Sequence, residues 1–274
     1  MTIIWTNFKV MLVVLMTTLW CTHFNSPSPV DCFDGVEAVQ SKSFRSFETA
    51  PAAELSETCP FVPTSTSTGW KYTTDLIVNE HVTFDDGLGE AVAKLVGTGS
   101  LLDVGAGVGQ LGYFLHKHQY PVKWHGFDGG ENIKDFVGRT IPMRKQSGNK
   151  PWPKSFFEHN FFVPQMCWVD ASSPVRWKKS YDWVLSVEVG EHIDRSKERV
   201  FIENLITPAK KGIILSWATV GQRGYQHINE RSNEYIIGVM KNYGFSLDER
   251  LTNSFRNSVK TWTYLQTSLM VFRP

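Results

Sequence analysis

The run Leu101-Leu102-Asp103-Val104-Gly105-Ala106-Gly107-Val108-Gly109 constrains this chain more than any other stretch. A short apolar segment passes directly into three alternating glycines, and residues 110–118 then read as a helix. A buried strand, a glycine turn and a helix in that order build a cradle. Glycines adopt positive φ and let a ligand approach the backbone, while the helix start offers free N–H groups. Asp103 stands two residues before the first glycine. A carboxylate there repels a pyrophosphate and suits a cationic, amino-acid-bearing ligand such as S-adenosylmethionine.

Two other readings stay open at this point. Gly107-Val108-Gly109-Gln110-Leu111-Gly112 also satisfies the dinucleotide spacing G-x-G-x-x-G, and a glycine-rich turn can be only a tight turn. Asp128 lies nineteen residues beyond Gly109, after Trp124 and Phe127. Both nucleotide folds place an acid there on the adenosine ribose hydroxyls, so Asp128 does not discriminate between them.

With 274 residues and 42% hydrophobic content, the chain can bury one α/β core and has an appendage to spare. A net charge of +1, without a dense Lys/Arg run, provides no broad attraction for a phosphate backbone. Nucleic acid is not expected as a partner. The appendage is N-terminal. Residues 1–24 are apolar around the single cation Lys9, about the length a bilayer needs, and read as a signal anchor or a signal peptide. No small-x-small cleavage site follows, which favours the uncleaved anchor; a buried helix is the plain alternative. Lys9 before the segment and Asp31, Asp34 and Glu37 after it orient the bulk of the chain away from the cytosol. The expectation is a single-pass membrane protein with its domain in the secretory lumen or outside, or else a secreted one.

Residues 25–69 are rich in Ser, Thr and Pro and read as a stem. Cys32 and Cys59 fall there and could pair in an oxidising lumen, while Cys167 reads as core. From residue 70 to 274 helical and strand patterns alternate. Helices are expected over 85–96, 110–118 and 232–243, and strands over 101–104, 124–127, 166–169, 181–188, 212–217 and 262–272, with 140–164 as an inserted loop. The fold class is α/β: a doubly wound, mostly parallel, Rossmann-like sheet with a C-terminal antiparallel hairpin strand. Ligands of such sheets sit at the carboxyl ends of the strands, so Gly105, Asp128, Asp170, Glu188 and Trp217 should converge.

Taken together, Asp103 to Gly109, Phe127-Asp128 and Ser186-Val187-Glu188-Val189-Gly190-Glu191-His192-Ile193 resemble the class I S-adenosylmethionine-dependent methyltransferases over about residues 70–272. The third element is similar to the Glu-x-x-Glu-His run of the ubiquinone-type O-methyltransferases. The resemblance implies S-adenosylmethionine as cofactor, with Asp103, Gly105, Gly107 and Gly109 at the methionine moiety. It further implies Asp128 on the ribose, Asp170 with Ala171 at the adenine edge, and Glu188 also at the cofactor. It associates Glu188, Glu191 and His192 with a divalent cation, magnesium or zinc by donor type. The plain alternative leaves Glu188 to the cofactor or a helix cap, Glu191 in solvent and His192 packed in the crevice.

After the fifth strand, Gly221-Gln222-Arg223-Gly224-Tyr225-Gln226-His227-Ile228-Asn229 offers polar groups where substrate is expected. His227 and His192 are the candidate catalytic residues, His227 as a base, with Gln222 and Asn229 orienting the acceptor. A simple capped loop is the competing reading. Asp194 reads as a helix cap and Asp182 as a solvated acid at a strand entry. The function expected is methyl transfer to a small-molecule or protein acceptor. An inactive cofactor-fold interaction module and a nicotinamide-dependent oxidoreductase are the alternatives.

Overall fold

A computed structural model of the protein describes residues 53–54, 71–73, 84–142, 160–164 and 166–274. The segment expected to enter a membrane, and the Cys32 to Cys59 pairing, lie outside them. No helix among the described residues is long and apolar enough to cross a membrane.

The elements run β1 Ala53–Glu54, α1 Asp86–Val96, β2 Ser100–Val104, α2 Gln110–Lys117, β3 Lys123–Asp128, β4 Thr140–Pro142, β5 Asn160–Phe162, β6 Cys167–Trp168, β7 Val175–Arg176 and β8 Tyr181–Ser186. They continue with α3 Glu198–Ile206, β9 Ala209–Leu215, α4 Asn233–Asn242, β10 Ser246–Leu247, α5 Glu249–Ser258, α6 Leu265–Ser268 and β11 Met270–Arg273. Seven strands form the main sheet in the order β10-β11-β9-β8-β2-β3-β6. β2 pairs in parallel with β3 and β8, β8 in parallel with β9, and β3 in parallel with β6. β11 runs antiparallel between β9 and β10.

The central strands are apolar at successive positions because both faces are covered. Leu102, Val184, Ile213 and Met270 point to one side and pack with Phe201 and Leu205 of α3 and Ile236 and Met240 of α4. Leu101, Trp183, Leu185, Ile214 and Val271 point to the other and meet Leu88 and Val92 of α1, Phe114 of α2 and Phe255 of α5. The period-two alternation of each strand therefore divides one apolar run between two cores.

Several expectations change. The fourth strand ends at Ser186 rather than at residue 188, and the segment 262–272 contains α6 before β11. Two strands, β4 and β5, pair antiparallel inside the expected loop 140–164. Within the expected stem, Ala53 and Glu54 pair in parallel with Val175 and Arg176. Asp194 caps a short turn by accepting from Ser196 N, as expected. Asp182 is more than a solvated acid: it accepts from Ser100 N at 2.8 Å and lies 3.0 Å from Lys211 Nζ. Cys167 is buried, as a core residue should be, but it is disulfide-bonded rather than a free thiol.

The start of α1 is tied to the other end of the chain. Asp85 is fully buried, caps the helix by accepting from Leu88 N at 2.9 Å, and also accepts from the N–H groups of Lys260, Thr261 and Trp262. A buried carboxylate saturated by main-chain donors is stable only while those donors stay. Asp85→Ala would strand four buried or half-buried N–H groups. The variant is expected to lose about 3 kcal/mol of unfolding free energy in denaturant titration.

Candidate functional site

The glycine turn is held from both sides. Gly105 N and Ala106 N both donate to Phe127 O, at 2.8 and 3.0 Å, and Gly107 N donates to Asp128 Oδ2 at 2.9 Å. Gly105, Gly107 and Gly109 have φ of 78°, 59° and 81°. A Cβ at Gly105 would stand 2.2 Å from Val189 Cγ2, so this position requires glycine for space as well as for conformation. Gly105 and Gly107 line a cavity of about 350 Å³ at the carboxyl ends of β2, β3 and β8. Gly109 does not line it; it begins α2 and packs against Pro164, where a Cβ would come within 2.4 Å of Cγ.

Asp103, Asp128, Asp170, Ala171, Glu188 and His192 also line this cavity. Asp128 is buried, and Oδ1 accepts from Gly130 N at 2.7 Å and from Tyr72 Oη at 3.2 Å. Burial pushes its carboxyl up to about 6, against the lowering effect of its hydrogen bonds. Asp103 accepts from Trp124 Nε1 at 3.0 Å, and burial pushes it up to about 7. The carboxylate of Asp170 closes its own turn, accepting from Ser172 N at 2.8 Å and Ser173 Oγ at 2.9 Å. No lysine or arginine is found among the described residues that line the cavity. Phe84, Trp262 and Tyr264 form an aromatic part of the wall, with the Phe84 and Trp262 rings 5.4 Å apart in an edge-on contact.

The run after β8 behaves differently from its sequence. Glu188 leaves the sheet with φ of 54°. Its Oε1 accepts from Ser216 Oγ at 2.8 Å and its Oε2 from Gln222 Nε2 at 2.9 Å. Gly190, Glu191 and His192 make one 3-10 turn. Glu191 faces the interior rather than solvent, fully buried, and neither of its carboxylate oxygens accepts a hydrogen bond. Burial and then the nearby Glu188 hold its carboxyl well above the usual range. His227 Nε2 lies 3.9 Å from Glu191 Oε1, and its Nδ1 lies 3.3 Å from Glu230 Oε1. His192 and His227 meet edge to face with ring centroids 5.0 Å apart. One donor atom each from Glu191, His192 and His227 falls within 4.8 Å of the others. The structure thus joins Glu191 and His192 to His227 and leaves Glu188 outside that group, engaged by Ser216 and Gln222.

The loop that carries His227 is fastened beneath. Ile228 N and Asn229 N donate to Glu191 O, both at 2.9 Å, and Trp217 Nε1 donates to Asn229 O at 2.6 Å. Asn229 Nδ2 and Arg231 Nη2 reach Glu198 Oε2 at 2.9 and 2.7 Å. Gln222 and Asn229 therefore hold the loop and its neighbours, not an acceptor. Trp217 is fully buried and supports Gly190, where a Cβ would meet its ring at 2.3 Å.

Tyr72, Phe84, Trp262 and Tyr264 were not legible as site residues, because the chain reaches the cavity with them from segments far from the strand ends.

No family model matches the chain, and no curated protein matches it. Solved structures do. The chain is similar to the CcbJ methyltransferase of Streptomyces caelestis, at 13% identity over 77% of this chain and 99% of that one, with a TM-score of 0.48. It is also similar to magnesium protoporphyrin IX methyltransferase of Synechocystis PCC 6803 with bound SAH, at 17% identity over 68% and 81%, TM-score 0.42. A TehB-like SAM-dependent methyltransferase of Corynebacterium glutamicum matches at 15% over 68% and 86%, TM-score 0.43. The sheet itself is the doubly wound, mostly parallel, Rossmann-like one expected from the sequence, with an antiparallel strand between β9 and β10.

Asp103 gives a pH test of the site. Its carboxyl keeps a proton in the folded state up to about 7, whereas the unfolded chain releases it near 3.8, as an ordinary aspartate does. The folded state binds more protons between these values, so this group lowers stability as pH rises through that window. Asp103→Asn keeps an acceptor for Trp124 and removes the titration. From pH 5 to pH 8 the variant should gain on the wild type by roughly 3 kcal/mol in unfolding free energy; no pH trend in the difference would refute the assignment.

Proposed function

We propose that this chain is an S-adenosylmethionine-dependent methyltransferase acting on a small-molecule or protein acceptor. One observation carries the reading: a glycine cradle at the strand ends opens on a cavity whose charged lining is acidic, Asp103 and Asp128 foremost. A sulfonium and an ammonium group are favoured there, and Asp128 faces a ribose as an acceptor. A nicotinamide dinucleotide would bring its pyrophosphate against Asp103 without a lining cation, so the oxidoreductase reading fits the charge less well.

Methyl transfer asks mainly for proximity and exclusion of water. The acceptor's lone pair forms a bond to the methyl carbon as the carbon–sulfur bond breaks, and the electron pair stays on sulfur. His192 lines the cavity, whereas His227 stands behind it, with Nδ1 3.3 Å from Glu230 Oε1. With no cation held between them, either imidazole can take the acceptor's proton, directly or through its neighbour; a bound cation would occupy both as ligands instead.

A divalent cation belongs to the proposal. The buried, unpartnered oxygens of Glu191 fit such a group, and Glu191, His192 and His227 would hold it. One carboxylate with two imidazoles suits zinc or manganese better than magnesium. When bound, a cation would polarise an acceptor hydroxyl and lower its pKa.

Calorimetric titration of the full chain with S-adenosylmethionine and S-adenosylhomocysteine, with NADH as control, tests the cofactor. Micromolar binding of the first two is expected, and Asp128→Ala should weaken it at least tenfold. A folded protein that binds neither would favour the inactive interaction module. Zinc or manganese titration is expected to show one site, lost in Glu191→Gln; a variant that binds metal unchanged would remove Glu191 from the site.

The place of the protein in the cell is proposed from residues 1–24, read as a signal anchor, or as a signal peptide of a secreted form. The disulfide at Cys167 supports an oxidising compartment. Alkylation of the denatured, unreduced protein should leave Cys167 unmodified by mass spectrometry; a modified Cys167 would speak for a cytosolic chain.

A further inference from the structure

Asp128 is short of acceptor capacity for the task it is expected to perform. A carboxylate has about four lone-pair positions, and three are already engaged, by Gly107 N, Gly130 N and Tyr72 Oη. A ribose brings two hydroxyls. One position remains at Asp128, so the second hydroxyl needs another acceptor unless Tyr72 withdraws.

Tyr72 is not built to withdraw. Its N–H donates to Asn132 Oδ1 at 2.7 Å, and Asn132 Nδ2 donates back to Tyr72 O at 2.6 Å. Its side chain is buried in the apolar group of Ala106, Val108 and Ile133. A Cβ at Gly130 would fall 2.3 Å from Tyr72 Cε2, so the ring lies directly on the loop that follows Asp128. Tyr72 lines the same cavity as Asp128 and the cradle glycines. A phenol that donates its proton to a carboxylate retains lone pairs of its own.

We infer that Tyr72 is a second ribose-binding residue, one hydroxyl of the diol donating to Asp128 and the other to Tyr72 Oη. The inference rests on the cofactor reading above. It makes recognition of the diol the work of a carboxylate and phenol pair, one partner from the end of β3 and the other from the segment that precedes α1. Gly130 is the spacer that lets them meet.

The test is calorimetric titration of the full chain with S-adenosylhomocysteine and with its 2′-deoxy and 3′-deoxy analogues, for wild type and Tyr72→Phe. Phenylalanine keeps the ring and its packing, and the thermal unfolding midpoint checks this. Tyr72→Phe is expected to bind S-adenosylhomocysteine about tenfold more weakly. One of the two deoxy analogues, the one lacking the hydroxyl that Tyr72 accepts, should bind both proteins alike. Unchanged or tighter binding by Tyr72→Phe would overturn the inference, as would an equal loss for all three ligands, which would make Tyr72 only a support for Asp128. The wild type provides a check free of any variant: loss of either hydroxyl should weaken binding, and a protein sensitive to only one of them would refute the pair. Failure of the wild type to bind S-adenosylhomocysteine at all would instead count against the cofactor reading.

Discussion

Three main-chain N–H groups, those of Gly105, Ala106 and Gly107, fasten the turn after β2 to the end of β3, and the geometry of the site follows from that fastening. Two of them share the carbonyl of Phe127, which forces the chain to turn sharply as it leaves the sheet. The positive φ values that result admit glycine far more readily than any other residue. The third orients the carboxylate of Asp128 before any ligand is present. Because Val189 packs directly on Gly105, the same turn also fixes the chain leaving β8. Three strand ends are thus set relative to one another by one short loop, and α2 starts from it at a defined angle.

The buried acids show how such a site is kept stable. Asp85, Asp128, Asp170 and Glu198 are all buried and all accept hydrogen bonds from two or more donors, so each is a structural tie as well as a charge. Asp103 has the Trp124 indole. Glu191 breaks the pattern, with both oxygens buried and unmatched beside two imidazoles. Burial and the neighbouring Glu188 carboxyl both disfavour its charge, so Glu191 adds no buried charge to the interior.

What was legible in the sequence was local. The glycine turn announces itself because its cause, positive φ in a strand-to-helix connection, is confined to a few adjacent residues. The central strands announce themselves because coverage on both faces makes them apolar at consecutive positions. By contrast, α5 escaped notice because it is largely polar: Leu251 and Phe255 are its two large apolar residues, and the face they mark is too sparse to stand out from a loop. The grouping of Glu191 and His192 with His227 depends on how the loop after β9 folds back, and no spacing in the chain encodes that. Asp85 finds its donors 175 to 177 residues away, and Tyr72 meets Asp128 across 56. The run after β8 misled for a different reason. Its acidic spacing matched a familiar pattern, but the positive φ of Glu188 sends that side chain to Ser216 and Gln222 and turns Glu191 inward.

The position of β11 makes closure of the sheet a long-range event. This strand comprises the four residues Met270–Arg273, about 170 residues beyond β2, yet it occupies an interior place in the sheet, between β9 and β10. The donors that saturate Asp85 come from the same late stretch. During synthesis the glycine cradle and its neighbouring strands emerge early, but the sheet beside them has a gap until β11 has been made. Non-local closure of this kind is slow and leaves apolar edges open in the interval. Until Met270–Arg273 are in place, one edge of β9 stays open, so the sheet closes only when a segment far along the chain from the glycine cradle returns to it.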